Sequence, residues 1–159
     1  MKTRVIIFFC ILSLFTACKG PKYYTKLGAK QEASGLSVEA SESYFSALRQ
    51  KRNYVEAQAG MKRTGQIVLN QKLVDFGRKK TMNTPREAVY AFVDAQEYQQ
   101  KIAGIGVTLE IGEMYQNDFD EIKKTYINEL YEKGTSQLEQ EQFKEAEINF
   151  KEISKFDPN

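Results

Sequence analysis

Along most of the chain, apolar residues recur three, four or seven positions apart, the spacing that gathers them on one face of a helix. From Ser37 onward Val38, Tyr44, Phe45 and Leu48 set the first such face, and Arg49–Asn53 is a polar break. Tyr54, Ala57, Met61 and Thr64 open a second face, and Ile67–Lys80 carries a third through Leu69, Leu73 and Phe76. Thr84-Pro85-Arg86-Glu87 predicts a helix start. Thr84 offers a capping hydroxyl, Pro85 stands where a missing N–H costs nothing, and Glu87 lies three residues beyond the cap. That helix presents Ala88, Val89, Phe92, Val93 and Ala95. The rhythm then changes to period two at Ile105, Val107, Leu109 and Ile111, between glycines, which predicts an extended connector over 104–117. Helical spacing resumes near Asp118, continues through Leu130 to about Gln140, and returns from Gln142 to Phe156, ahead of Pro158.

The front of the chain follows other rules. Residues 18–36 contain Gly20, Pro21, Gly28, Gly35 and four lysines without a long periodic pattern, and read as a flexible tether. Residues 1–17 begin with Lys2 and Arg4 and continue into an apolar run from Val5 to Leu14. A bilayer span takes about 20 apolar residues, so this run predicts a secretory signal and not a retained helix.

The signal ends in Phe15-Thr16-Ala17-Cys18. That tetrad resembles the lipobox of bacterial lipoproteins, with Phe15 where leucine is usual, and the short leader is similar to those of Bacteroidetes. The resemblance implies that Cys18 carries a diacylglyceryl thioether and becomes an acylated N-terminus. Two or more acyl chains hold a protein stably at a membrane where one chain is marginal. The alternative is a secreted protein cut after Ala17 with Cys18 free. Either way Cys10 leaves with the signal, so one cysteine remains and stability has to come from packing and not from disulfides.

The last 33 residues, Ile127–Asn159, carry a second resemblance. Leu130, Gly134, Phe143, Ala146, Phe150 and Pro158 fall on the small, bulky and terminating positions of the tetratricopeptide repeat, a helical hairpin of 34 residues. The resemblance implies that Gly134 and Ala146 lie where the two helices cross, that Phe143 and Phe150 fill the space between them, and that Pro158 ends the second helix. Gln137 and Ile153 depart from the usual aromatic and alanine. The same register fits residues 38–71 more loosely, through Tyr54, Ala57 and Met61, with Phe45 in place of the glycine. It also fits a unit starting near Leu69, through Ala88, Phe92 and Ala95, with Phe76 in place of the glycine. The expected fold is therefore all-α, a tetratricopeptide-like array of about three hairpins. Two degenerate hairpins would occupy 37–103, an irregular connector 104–117, and a well-specified hairpin 118–159.

Composition narrows the chemistry. The chain has no histidine, which removes the commonest general base and metal ligand and every Ser-His-Asp or Cys-His arrangement. Gly104-Ile105-Gly106 lacks the third glycine and the Lys-Ser/Thr of a phosphate loop. Asp118, Asp120 and Glu121 read as acids favoured at a helix start, and Arg78-Lys79-Lys80 as compensation at a helix end. No catalytic residue, metal or cofactor is expected. Charge is uneven: residues 18–84 hold 13 Lys/Arg against 5 Asp/Glu, and residues 85–159 hold 8 against 16, a division that can steer charged partners.

The expected function is a lipid-anchored scaffold or accessory subunit of a cell-envelope complex, at the outer membrane and facing the periplasm. It would take a peptide or helix in the groove of its hairpins. The alternative is a glycan- or nutrient-binding accessory of an outer-membrane uptake system. Nucleic acid is not an expected partner. Because repeat arrays usually finish with a helix that covers the last hairpin, Ile148, Ile153 and Phe156 are expected to form a partner face. Self-association or a basic partner would cover it.

Overall fold

The computed structural model describes residues 19–158. The signal segment and Cys18 lie outside the described residues. Six helices follow in order: α1 (Pro21–Ala33), α2 (Ser37–Gln50), α3 (Val55–Thr81), α4 (Pro85–Ala103), α5 (Glu113–Glu139) and α6 (Phe143–Phe156), with no strand among the described residues. The fold is all-α. The chain divides into two compact units, one through Thr64 and one from Gly65.

Three hairpins share one design, visible on counting from a single residue of each. In α1/α2 that residue is Gly28, in α3/α4 it is Phe76, and in α5/α6 it is Gly134. Twelve residues later stands a fully buried alanine: Ala40, Ala88 and Ala146. Sixteen residues later stands an aromatic ring: Tyr44, Phe92 and Phe150. A Cβ on Gly28 would lie 3.0 Å from the Tyr44 ring, and one on Gly134 would lie 2.9 Å from the Phe150 ring. The ring of the second helix thus rests on the bare backbone of the first. In the middle hairpin Phe76 and Phe92 meet instead as tilted rings 5.0 Å apart, so two rings fill the space that a ring and a glycine fill elsewhere.

The turns repeat as well. Seven residues after the reference position the backbone is left-handed, at Gly35 (φ 76°), Asn83 (φ 53°) and Glu141 (φ 60°). The amide that follows each of them donates back to the preceding helix: Leu36 to Gln31 (3.0 Å), Thr84 to Lys79 (3.2 Å) and Gln142 to Gln137 (2.8 Å). Glycine and asparagine tolerate this conformation. Glu141 does not by preference, and the repeated hydrogen bond holds it there.

Residues 19–36 are therefore no tether. Gly28 is a close-approach residue inside a helix, and of the glycines there only Gly35 serves as a turn. The first hairpin accordingly starts at Pro21, with α2 as its second helix, and Phe45 does not replace a crossing glycine. The two segments expected at Tyr54–Thr64 and Ile67–Lys80 are one helix of 27 residues, and α5 has the same length. Both carry 21 residues ahead of their reference position, where α1 carries seven. Thr84 does not cap α4 with its side chain; its hydroxyl donates to the Lys79 carbonyl (3.1 Å) and closes α3.

The connector is extended as expected but ends at Gly112. Ile105, Val107 and Leu109 are buried and the residues between them exposed, which satisfies the period-two pattern without a partner strand. Its backbone is met by side chains instead: the Gln66 amide donates to Glu110 O and accepts from Glu110 N (both 2.9 Å), and Gln99 donates to Leu109 O (2.8 Å). A paired side-chain amide thus replaces one rung of a ladder at the exposed Glu110. Asp118 and Glu121 lie inside α5 and not at its start, and both receive Lys80 (2.7 and 3.2 Å).

The glycines yield a sharp contrast. A Cβ on Gly60 would fall 2.2 Å from Tyr44 Cζ, while one on Gly77 meets nothing within 4 Å. Gly60→Ala is expected to destabilise the protein by about 1–3 kcal/mol. Gly77→Ala, in the interior of α3, is expected to stabilise it by about 0.5–1 kcal/mol. Urea unfolding followed by circular dichroism separates the two. Equal midpoints would show that Tyr44 does not rest on Gly60.

Candidate functional site

Two carboxylates organise the polar contacts around the hairpins. Glu32, in α1, receives Arg63 through both oxygens (2.7 and 3.0 Å) and the Tyr44 hydroxyl (2.7 Å). The Arg63 hydrogen bond holds the Glu32 carboxyl below its ordinary range against the opposing effect of burial. Tyr44 is 2% exposed, and burial, with the hydrogen bond to Glu32, pushes its phenol up to about 12.

Glu152, in α6, is the second centre. It accepts from the hydroxyls of Tyr90 on α4 and Tyr126 on α5 (3.1 Å for the latter), and Lys155 pairs with it from one turn on. Burial works against its charge, yet Lys155 and the two phenols together hold the carboxyl below its ordinary range. Burial and Glu152 push Tyr126 up to about 12, with Arg86 acting the other way. Phe156 packs edge-on against both rings, 5.7 Å from Tyr90 and 6.1 Å from Tyr126.

Beside this cluster an open groove of about 320 Å³ runs between the start of α4, the middle of α5 and α6. Arg86, Glu129 and Lys133 are its exposed charged residues, Leu130 and Tyr126 its buried apolar surface, and Ile148, Asn149 and Glu152 its α6 side. Asn149 is fixed by donating to Gln137 Oε1 (2.5 Å) and Glu145 O (3.2 Å). Ser43 donates to Gln31 (2.6 Å) at the same two positions of the first hairpin, which explains the glutamine where an aromatic was expected. The groove offers two cations and two carboxylates to a polar chain lying over an aromatic and aliphatic floor. Its one phenol, Tyr126, is held protonated and donates its hydrogen bond to Glu152.

The residues singled out from sequence separate into three groups. Leu130, Gly134, Ala146 and Phe150 come together between α5 and α6, and Pro158 follows the end of α6. Phe143 does not join them: it is the first residue of α6 and 64% exposed. The expected partner face is not one face either. Ile148 is 68% exposed at the groove, Ile153 occupies the position of the buried Ala47 in the first hairpin and is half-buried, and Phe156 is engaged by Tyr90 and Tyr126. Sequence reasoning passed over Arg86, Tyr90, Tyr126 and Glu152, which lie on three helices. The signal in hindsight is a glutamate amid the apolar spacing of α6. Among the described residues no group of three His, Cys, Asp or Glu side chains is arranged to hold a metal ion, and no helix is long and apolar enough to cross a membrane.

A pH effect follows from the two phenols. A raised folded-state pKa means stability that is full below the unfolded value of 10 and is lost as pH climbs through about 12. Each phenol accounts for roughly 3 kcal/mol across that window. Tyrosinate absorbance at 295 nm should show Tyr44 and Tyr126 ionising last of the nine tyrosines, with Tyr90, which its hydrogen bond to Glu152 also shifts upward, later than the rest. Tyr44→Phe and Tyr126→Phe should each remove one late step. Simultaneous titration of all tyrosines near pH 10 would contradict both burials.

Compared with known proteins, the chain matches no family model, no curated protein and no solved structure.

Proposed function

We propose that this protein is a lipid-anchored interaction module of the bacterial cell envelope: tetratricopeptide-like hairpins, tethered through Cys18, that bind a segment of another protein. The observation that carries the reading is the threefold recurrence of crossing residue, buried alanine, aromatic ring and left-handed turn. A fold assembled from such units presents broad surfaces and grooves. The α4–α5–α6 groove supports it, since its charged residues and apolar floor suit a polypeptide with both kinds of side chain. The lipobox at Phe15–Cys18 supports the anchor, and the leader supports export. Outer-membrane placement agrees with Lys19 behind the cysteine, where inner-membrane retention is associated with aspartate, and a periplasm-facing position agrees with the lack of an acidic cluster after Cys18.

A glycan-binding accessory role is the second reading. Tyr131, 61% exposed on α5, is the observation that favours it, because sugars are bound on open aromatic faces.

Two measurements test the proposal in its two parts. Cys18→Ser should abolish incorporation of labelled palmitate and leave an unprocessed precursor; a membrane-anchored, processed mutant would remove the lipid assignment. A photo-reactive residue at Glu129 should cross-link the native protein to a defined envelope protein. Arg86→Glu should reduce that adduct about tenfold or more, the expected loss for a charged contact of 1.4 kcal/mol. An adduct unaffected by Arg86→Glu, or binding of a purified oligosaccharide in its place, would overturn the groove as a protein site.

A further inference from the structure

The repeated hairpins supply their own template for what covers a hairpin. Count again from Gly28, Phe76 and Gly134. Four residues on stand Glu32, Lys80 and Leu138. Glu32 pairs with Arg63, eight residues beyond the first residue of α3 (2.7 Å), and Lys80 pairs with Glu121, eight residues beyond the first residue of α5 (3.2 Å). The signs are reversed and the positions are the same. The aromatic rings follow suit: Gly60 of α3 closes on Tyr44, and Phe119 of α5 stacks on Phe92 with centroids 4.3 Å apart. The extra residues at the front of α3, through Thr64, and at the front of α5 thus roof the face of the hairpin before them.

Among the described residues no helix does this for α5/α6. The exposure values show it position by position. Where Ser41 and Val89 are buried, Glu147 is exposed; where Pro85 is buried, Phe143 is 64% exposed; where Tyr44 and Phe92 are 2% and 0% exposed, Phe150 is half-buried. Leu138, at the position that is charged and paired in the other two hairpins, is 44% exposed. The result is an apolar strip of Leu138, Phe143 and Phe150. Glu139, Glu141 and Glu145 stand exposed beside it, with Lys144 among them.

We infer that this face docks an amphipathic helix of a partner protein, laid as α3 lies on α1/α2. The helix brings an apolar side chain, in the place of Arg63 and Glu121, onto Leu138. Its flanks carry Lys or Arg against the glutamates. The inference rests on the interaction-module reading but uses a surface separate from the α4–α5–α6 groove, so either can fail alone.

The register permits a direct test on the full chain. Four residues join α2 to α3. A copy of Tyr54–Val68 appended to Asn159 therefore continues the chain in the same register past α6. With Arg63→Leu in the copy, the fusion should raise the melting midpoint by several degrees. Leu138→Glu should cancel that gain, and restoring Arg63 in the copy should recover it, rebuilding the Glu32–Arg63 pair. A midpoint that does not rise, or rises equally in all pairings, overturns the inference. In trans, the same leucine-bearing peptide flanked by lysines should bind wild-type protein roughly tenfold more tightly than one flanked by glutamates. High salt should narrow the difference. Equal affinities overturn the basic partner. Sedimentation closes the remaining route: a wild-type dimer made monomeric by Phe143→Lys would make a second copy the occupant and overturn a heterologous helix.

Discussion

Everything in this molecule depends on how closely two antiparallel helices can approach where they cross. At Gly28 and Gly134 the first helix of a hairpin has no side chain, and a ring sixteen residues later lies on its backbone. The ring excludes water from both helices at once, and burying a side chain of that size contributes about 1.5–3 kcal/mol. A methyl group at either position would meet the ring at a distance real Cβ atoms rarely accept. Phe76 shows the other solution: where the glycine is lost, two rings meet tilted, 5.0 Å apart. The alanine twelve residues on is fully buried in every hairpin. Two positions, spaced by the turn, set the approach of each pair of helices.

The turn then fixes the spacing. Each hairpin reverses through one left-handed residue and one amide returning to the helix it leaves. Inserting a residue there would rotate the second helix by about 100°, moving the alanine and the ring off the contact together. Local backbone geometry and long-range packing agree at these positions, which is the consistency that lets one sequence specify one fold.

That agreement decided what was legible in the sequence. The last hairpin was readable because Gly134, Ala146 and Phe150 appear in full and in register. The first carries the same set in Gly28, Ala40 and Tyr44, yet its sequence reads as a tether, since glycine among lysines signals flexibility as readily as close approach. Only the spacing of twelve and sixteen residues to Ala40 and Tyr44 separates the meanings. The sequence of α3 reads as two segments because its buried face changes partners along its length, and the apolar spacing shifts where it does. The groove stayed hidden for another reason. Arg86, Tyr126 and Glu152 come from three helices, and no local pattern records which long-range hydrogen bonds a tyrosine will find. The Gln66 clasp on Glu110, 44 residues away, is illegible in the same way.

The long first helices tie packing to function. The fourteen added residues lie ahead of their own hairpin's crossing, although the last of them in α5, Tyr126, reaches Glu152 of α6. They cover the one before, closing over its ring and neutralising its charge at Glu32 or Lys80. A buried or half-buried charge has to be paired or it costs several kcal/mol, so a hairpin bearing one there depends on a helix with the opposite sign. Leu138 needs no such partner to stay in water. It also sets no sign for the partner's central contact, which is left to shape and apolar area while the neighbouring glutamates choose the flanks. A covalently continuous helix can rely on an ion pair of either polarity, because its register is fixed by the chain. A helix arriving from elsewhere must find its register by packing, and leucine between two phenylalanines offers a surface on which packing can decide.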